Sequence, residues 1–217
     1  MTPQSETMKP RERRKAQRPG EILEAAFEAF AERGYAATRL EDVAARVGLT
    51  KGALYLYFDT KERLFEEMVR HYTSAVLADA DAMLASTQGS WTDKLRAFLA
   101  FLYARCAQDR RGREIIRFMV ADGKHFPQLV EEYYRDFAAP AIRLMGGVLE
   151  AGAAAGEFRP GLSPETAEVV LAPAVFLNVK RLMFGEGAPL EDASFMAAHI
   201  DLALAGILAP KSPKVAN

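Results

Sequence analysis

The stretch VGLTKGALYLYF, residues 47–58, packs a lysine, a mid-helix glycine and three aromatic rings into twelve positions. A core helix has no use for the lysine, and a surface helix has no use for so many rings. The stretch therefore has two faces. Leu54 and Phe58 lie four apart and are expected to pack inward, with Leu49 at the turn before them. Thr50, Lys51, Ala53 and Tyr57 then point outward. Gly52 carries no side chain, so the helix can come close to another surface, at a cost of about 1 kcal/mol in helix propensity. Just upstream, TRLEDVAARVG (38–48) spells a helix of barely three turns that ends at Gly48. Two short helices joined by a tight turn make a helix-turn-helix, whose second helix enters the DNA major groove while the first crosses the backbone. Thr50, Tyr55 and Tyr57 offer hydroxyls to phosphates, and Lys51 reaches either a phosphate or a guanine edge. Spacing alone leaves open an ordinary helical hairpin with surface tyrosines.

Helical spacing continues on both sides, and strand signals are nearly absent. GEILEAAFEAFAERGY (20–35) sets Ile22, Ala26 and Ala29 on one stripe with Leu23, Phe27 and Phe30 beside it, and Gly34 is placed to stop it. Thr38 with Glu41, and Asp59 with Glu62, have the spacing of capping boxes. The helix after the second box is long, with Leu64, Met68, Tyr72 and Val76 every fourth residue. Lys61 at its start is expected to hold a phosphate together with the helix N-terminus. Gln88–Ser90 is a break. Further helices are expected at about 91–108, 113–121, 127–154, 164–184 and 190–208, with Pro140 kinking or dividing the third of these and Pro164 in a first turn. The expected fold is all-α, with about nine helices and no internal repeat.

The chain has 217 residues, half of them hydrophobic, which suffices for a sizeable core. One cysteine, Cys106, excludes an internal disulfide framework and fits a reducing compartment. Residues 1–20 lack the apolar run of a signal peptide, and VVLAPAVFLNV (169–179) is too short and interrupted to span a bilayer. A soluble, cytoplasmic protein without membrane contact is expected. Net charge is −1, but residues 1–20 carry six basic side chains (Lys9, Arg11, Arg13, Arg14, Lys15, Arg18) against two acidic ones, Glu6 and Glu12. A basic arm before a neutral body suits nucleic acid, and equally a solvated tail.

ILEAAFEAFAERGYAATRLEDVAARVGLTKGALYLYFDTKERLFEEMV (22–69) resembles, without a gap, the DNA-binding region of the TetR/AcrR family of bacterial repressors. The matching pieces are Ala25–Ala26 and Phe30, Gly34–Tyr35, Thr38, Val43–Ala44, Val47–Gly48, Thr50–Gly52, Leu54–Tyr55, Tyr57–Phe58, and Lys61 with Leu64. The resemblance implies a basic flexible arm (1–18), a DNA-binding domain (19–66, helix-turn-helix 39–58), a ligand-binding and dimerisation domain (67–210) and a tail (211–217). It implies DNA contact by Thr38, Arg39, Thr50, Lys51, Gly52, Ala53, Tyr55, Leu56, Tyr57 and Lys61, with Arg13, Arg14 and Arg18 of the arm adding phosphate or minor-groove contacts. Leu56 departs from the family pattern, which often has a basic or polar residue there, and offers only apolar contact, for instance to a thymine methyl.

For the body, GREIIRFMVADGKHFPQLVEEYYRDFAAP (112–140) resembles one AcrR-type subgroup. Rings with a few polar groups between helices suit a small-molecule pocket, while core packing accounts for most such rings equally well. The candidate effector-binding residues are Phe98, Leu102, Arg117, Phe118, His125, Phe126, Tyr133, Tyr134, Phe137, Asn178 and Arg181. The resemblance further implies a homodimer through helices 164–184 and 190–208, so that two reading heads about 34–36 Å apart meet an inverted-repeat operator in double-stranded DNA. The expected function is a repressor released from its operator by a small, largely apolar effector. A ligand-independent DNA-binding or architectural module, or an activator, is the alternative. A helical enzyme is disfavoured, because His71, His125 and His199 are scattered and the nearest approach to a di-iron motif is a single Asp122-x-x-His125. Phosphate-binding glycine motifs and the nucleophile-elbow motif are missing as well. Neither catalytic residues, nor a metal, nor a cofactor is expected.

Overall fold

The computed structural model describes residues 10–185 and 192–210. They are helical nearly throughout, and the chain divides into two compact units, Met1–Tyr72 and Thr73–Asn217. The tail, 211–217, lies outside the described residues, as do residues 1–9 of the arm and the side chains of Arg13 and Arg14.

The first unit starts with α1 (Pro10–Ala37), so the second half of the expected flexible arm is helical backbone. Pro10 suits a first helical position, and the Arg, Glu, Lys, Ala and Gln residues that follow are good helix formers. Gly34, at φ 76° and ψ 167°, breaks α1 as expected, a conformation that costs other residues dearly. The inward stripe of α1 (Ile22, Leu23, Ala26, Phe27, Ala29 and Phe30) is buried against Leu64, Phe65, Met68, Val69 and Tyr72 of α4 (Lys61–Ser86). Edge-on ring pairs hold this core: Phe27 with Tyr72 at 5.0 Å and Phe30 with Phe65 at 5.0 Å. Between α1 and α4 sit α2 (Leu40–Arg46) and α3 (Lys51–Tyr55).

Two helix starts differ from expectation. Thr38 does not cap α2. The N-cap is Arg39, whose backbone N–H donates to the Asp42 carboxylate at 3.2 Å. Thr60, not Asp59, caps α4, its hydroxyl accepting from the Arg63 backbone N–H at 3.0 Å. In both cases the true cap lies one residue on, because Thr38 is drawn into the core and Thr60 offers an oxygen closer to the open turn.

The second unit comprises the later part of α4, then α5 (Trp91–Tyr103), α6 (Arg110–Asp122), α7 (Pro127–Tyr133), α8 (Ala139–Ala154), α9 (Pro164–Phe184) and α10 (Asp192–Ile207). Ser90 and Asp93 form the capping box of α5. A core of Leu95, Phe98 and Leu99 (α5), Met145, Val148 and Leu149 (α8), Val170 and Leu171 (α9), and Leu204 and Ile207 (α10) closes around Phe158. The loop carrying Phe158 is tied down twice. The Glu157 carboxylate caps α5 by accepting from the Trp91 and Thr92 backbone N–H groups, both at 3.0 Å, bonds that hold it below the usual carboxylate range. Arg159 N–H donates to Ile207 O at 2.8 Å, beside an isolated bridge of Phe158 with Leu208, the one trace of β-structure among the described residues.

Two wide π turns interrupt the helices, at Ala104–Gln108 after α5 and at Tyr134–Ala138 between α7 and α8. The second stands just before Pro140, whose nitrogen cannot join a regular ladder, and α7, the π turn and α8 run on as the single expected 127–154 helix. Joined in this way, the described residues form nine helices.

Candidate nucleic-acid interface

The turn between α2 and α3 depends on Gly48, at φ +65°, which lets the Leu49 N–H return to Ala44 O at 2.9 Å. Thr50 caps α3, its hydroxyl accepting from Ala53 N–H at 3.2 Å. Leu54 is fully buried and Phe58 nearly so, which fixes the roll of α3. Its opposite face carries Thr50, Lys51, Gly52, Tyr55, Leu56 and Tyr57, all exposed, with Ala53 half-buried between the faces. Leu56 is 86% exposed, an extreme value for a leucine and one that the first unit does nothing to cover.

The charges on this face are already engaged. Lys51 is ion-paired with Glu41 near the start of α2, and its ammonium lies 5.9 Å from the centre of the Tyr55 ring. This bond lowers the proton affinity of the Glu41 carboxyl and raises that of Lys51. Glu41, expected in a capping box with Thr38, instead pairs with the outward lysine ten positions on. Arg39 is exposed at the N-cap of α2, and Arg18 pairs with Glu21 at 2.7 Å.

Two expected DNA contacts are placed otherwise. Thr38 is 1% exposed, and its hydroxyl donates to Gly34 O at 2.7 Å and Ala29 O at 3.1 Å, so it locks the end of α1 and presents nothing to a ligand. The Lys61 ammonium donates to three main-chain carbonyls, Tyr35 O at 2.9 Å, Thr38 O at 3.0 Å and Ala36 O at 3.3 Å, and sits 4.3 Å over the Tyr35 ring. Its three hydrogens are thus matched to three carbonyls at and just beyond the end of α1. Tyr35 in turn donates its hydroxyl to Glu62 at 2.8 Å.

The second unit collects part of the expected effector set. Phe98, Phe118 and Asn178 are buried, while Leu102, Arg117, Phe126, Tyr133, Phe137 and Arg181 are half-buried. Arg117 pairs with Glu114 at 2.6 Å and lies 4.7 Å over the Phe118 ring. His125 and Tyr134 stand on the exterior. The Asn178 amide donates to Cys106 O within the first π turn, and its buried Oδ1 has no hydrogen-bond partner among the described residues. Burial pushes the Cys106 thiol up to about 12, an inert group at neutral pH, and also raises Tyr133. Tyr103 was missed. It is buried on α5 and bonded to His199 Nδ1 of α10 at 2.9 Å, and desolvation lowers the proton affinity of that imidazole. Among the described residues no cluster of His, Cys, Asp or Glu could hold a metal, and no helix is long and apolar enough to cross a membrane.

Residues 22–68 match the bacterial regulatory proteins of the tetR family, and residues 85–203 match the tetracyclin repressor-like C-terminal domain. The chain belongs to the TetR family. As a TetR-family regulator it is a DNA-binding transcription factor. Its relatives include the HTH-type transcriptional repressor KstR2 of Mycolicibacterium smegmatis, 26% identical over 92% of this chain and 95% of the relative. The KstR2 protein of Rhodococcus jostii is 26% identical over 90% and 94%. Among solved structures, a transcriptional regulator from Saccharomonospora viridis in complex with choline has the same fold, with a TM-score of 0.78 at 17% identity over 90% of this chain and all of that one. FadR from Bacillus subtilis, in complex with stearoyl-CoA, superposes with a TM-score of 0.71 at 18% identity, over 87% and 98%.

Proposed function

We propose that this TetR-family regulator is a dimeric repressor that leaves an inverted-repeat operator when a small, largely apolar effector occupies its second unit. The observation that carries the reading is the outer face of α3. Lys51 and Tyr55 on α3, with Leu56 and Tyr57 in the turn that ends it, stand exposed while Leu54 and Phe58 are locked in the core, a platform for the major groove. Thr50, Gly52 and Ala53 let that helix approach closely, and Arg39, Arg18, Arg13 and Arg14 supply positive charge for the backbone.

Dimerisation is supported by α9. Val169, Phe176 and Met183 recur at seven-residue spacing and are 69%, 55% and 69% exposed, flanked by Val175, Leu182 and Phe184, while Leu202 on α10 is 75% exposed. A face this apolar on one chain suits a partner helix pair, and a two-fold pairing imposes an inverted repeat on the DNA. Effector binding is supported by the polar groups held deep in the second unit. Asn178 offers an unused acceptor, and Tyr133 a desolvated hydroxyl on a ring 5.2 Å from that of Phe137. The relatives named as repressors favour repression, and the structural neighbours solved in complex with choline and with stearoyl-CoA favour a small-molecule effector. A cytoplasmic location follows from this role.

Selection of the purified protein against random double-stranded DNA at near-physiological salt tests the proposal. Enrichment of one inverted repeat is the expected result, and that DNA then reports effectors by its release. Tight binding without sequence enrichment would instead mark an architectural protein.

A further inference from the structure

We propose that Glu41 is a specificity-determining residue of the DNA interface, reading the exocyclic amino group of a cytosine as one unit with Lys51. The inference rests on the reading of α2 and α3 as a DNA-binding helix-turn-helix. Glu41 is the second residue of α2 and Lys51 the first of α3, and their ion pair joins the two helix starts on the exposed side, each side chain about half exposed (50% and 54%). A solvated surface pair of this kind adds little stability, so stapling the helices together does not explain it. Nor does the dipole of α2 require Glu41. Asp42 already accepts the Arg39 backbone N–H at 3.2 Å and pairs with Arg33 at 2.8 Å.

A carboxylate beside the first residue of a recognition helix faces a polyanion, a cost that Lys51 offsets in part and that a hydrogen bond donated by the DNA offsets further. In the major groove two base groups donate, adenine N6–H2 and cytosine N4–H2. Adenine sets its acceptor N7 beside the donor and repels a carboxylate, whereas cytosine N4 suits it. The base paired with that cytosine presents O6 and N7, the acceptors a lysine prefers. The Glu41–Lys51 pair therefore matches both edges of a C·G pair, or of two neighbouring pairs, and penalises every site that lacks the cytosine. Discrimination of this kind works by repulsion from wrong partners as well as by attraction to the right one.

The test is selection from random double-stranded DNA with the wild-type chain, Glu41→Ala and Glu41→Gln, under one salt condition. The wild type is expected to enrich cytosine at one position in each half-site, by about tenfold over other bases. Glu41→Ala should flatten that position alone, keep the rest of the motif, and raise affinity for unrelated DNA. Glu41→Gln should move the same position toward adenine, since a carboxamide matches N6 and N7 of that base. A general loss of stability would lower all binding without changing the base preferred at one position. If the wild type yields a motif and both variants yield the same one, the role of Glu41 is overturned while the regulator reading stands. If the wild type yields no motif, both fall.

Discussion

Lys61 was expected at a phosphate, and the structure sets its ammonium on the main chain instead. A lysine at the first position of a helix is a natural phosphate ligand, but here its ammonium closes the frayed end of α1 through three carbonyls and the Tyr35 ring. Nothing in the sequence marks this, because carbonyl partners 23 to 26 residues away have no side-chain signature. Lys61→Ala is therefore expected to lower the stability of the first unit by about 1–3 kcal/mol, the range for hydrogen bonds to a charged group. A thermal melt would read this. The slope of log affinity against log salt should stay at its wild-type value, and a slope shallower by about one would restore the phosphate role. By contrast, the inward pair Leu54 and Phe58 was legible at once, since a four-residue spacing in a two-faced stretch admits few arrangements.

Among the elements, legibility followed the kind of signal. Helices opened by a strong local cue began where the sequence placed them: α5 after Ser90 and α9 at Pro164. The caps of α2 and α4 slipped by one residue, because adjacent polar residues compete for the same open turn and tertiary burial decides between them. Of the π turns, the second stands beside Pro140, which marked an irregularity there, while the first had no comparable cue in the sequence. At the first of them, a Cβ on Gly112 of α6 would come within 1.8 Å of Arg105 O. Main chain cannot yield as a flexible side chain does, so Gly112→Ala should cost about 3 kcal/mol by overpacking. Gly147 in α8 meets nothing, and Gly147→Ala should instead stabilise by up to about 1 kcal/mol through helix propensity. Chemical denaturation of both variants checks the contrast, and equal effects would show that the π turn has room to relax. The packing of Tyr103 against His199, 96 residues apart, was equally beyond local reading.

For the whole molecule, the apolar face of α9 carries the argument for two-fold assembly. Phe176→Glu should leave the helical content unchanged and give a monomer by sedimentation. Its operator affinity should drop by about 100-fold or more, as two linked heads become two separate ones. A dimer that persists would move the interface elsewhere. The two-part organisation was legible in the sequence, with the DNA-binding domain expected over 19–66. The compact units part at Tyr72, because Met68, Val69 and Tyr72 belong to the core beneath Phe27 and Phe30. α4 runs unbroken through that point, so evolution and the protein engineer face the same restriction when trading heads between regulators. A transplanted head must carry α4 with it through Tyr72, so that Met68, Val69 and Tyr72 arrive with the core they fill.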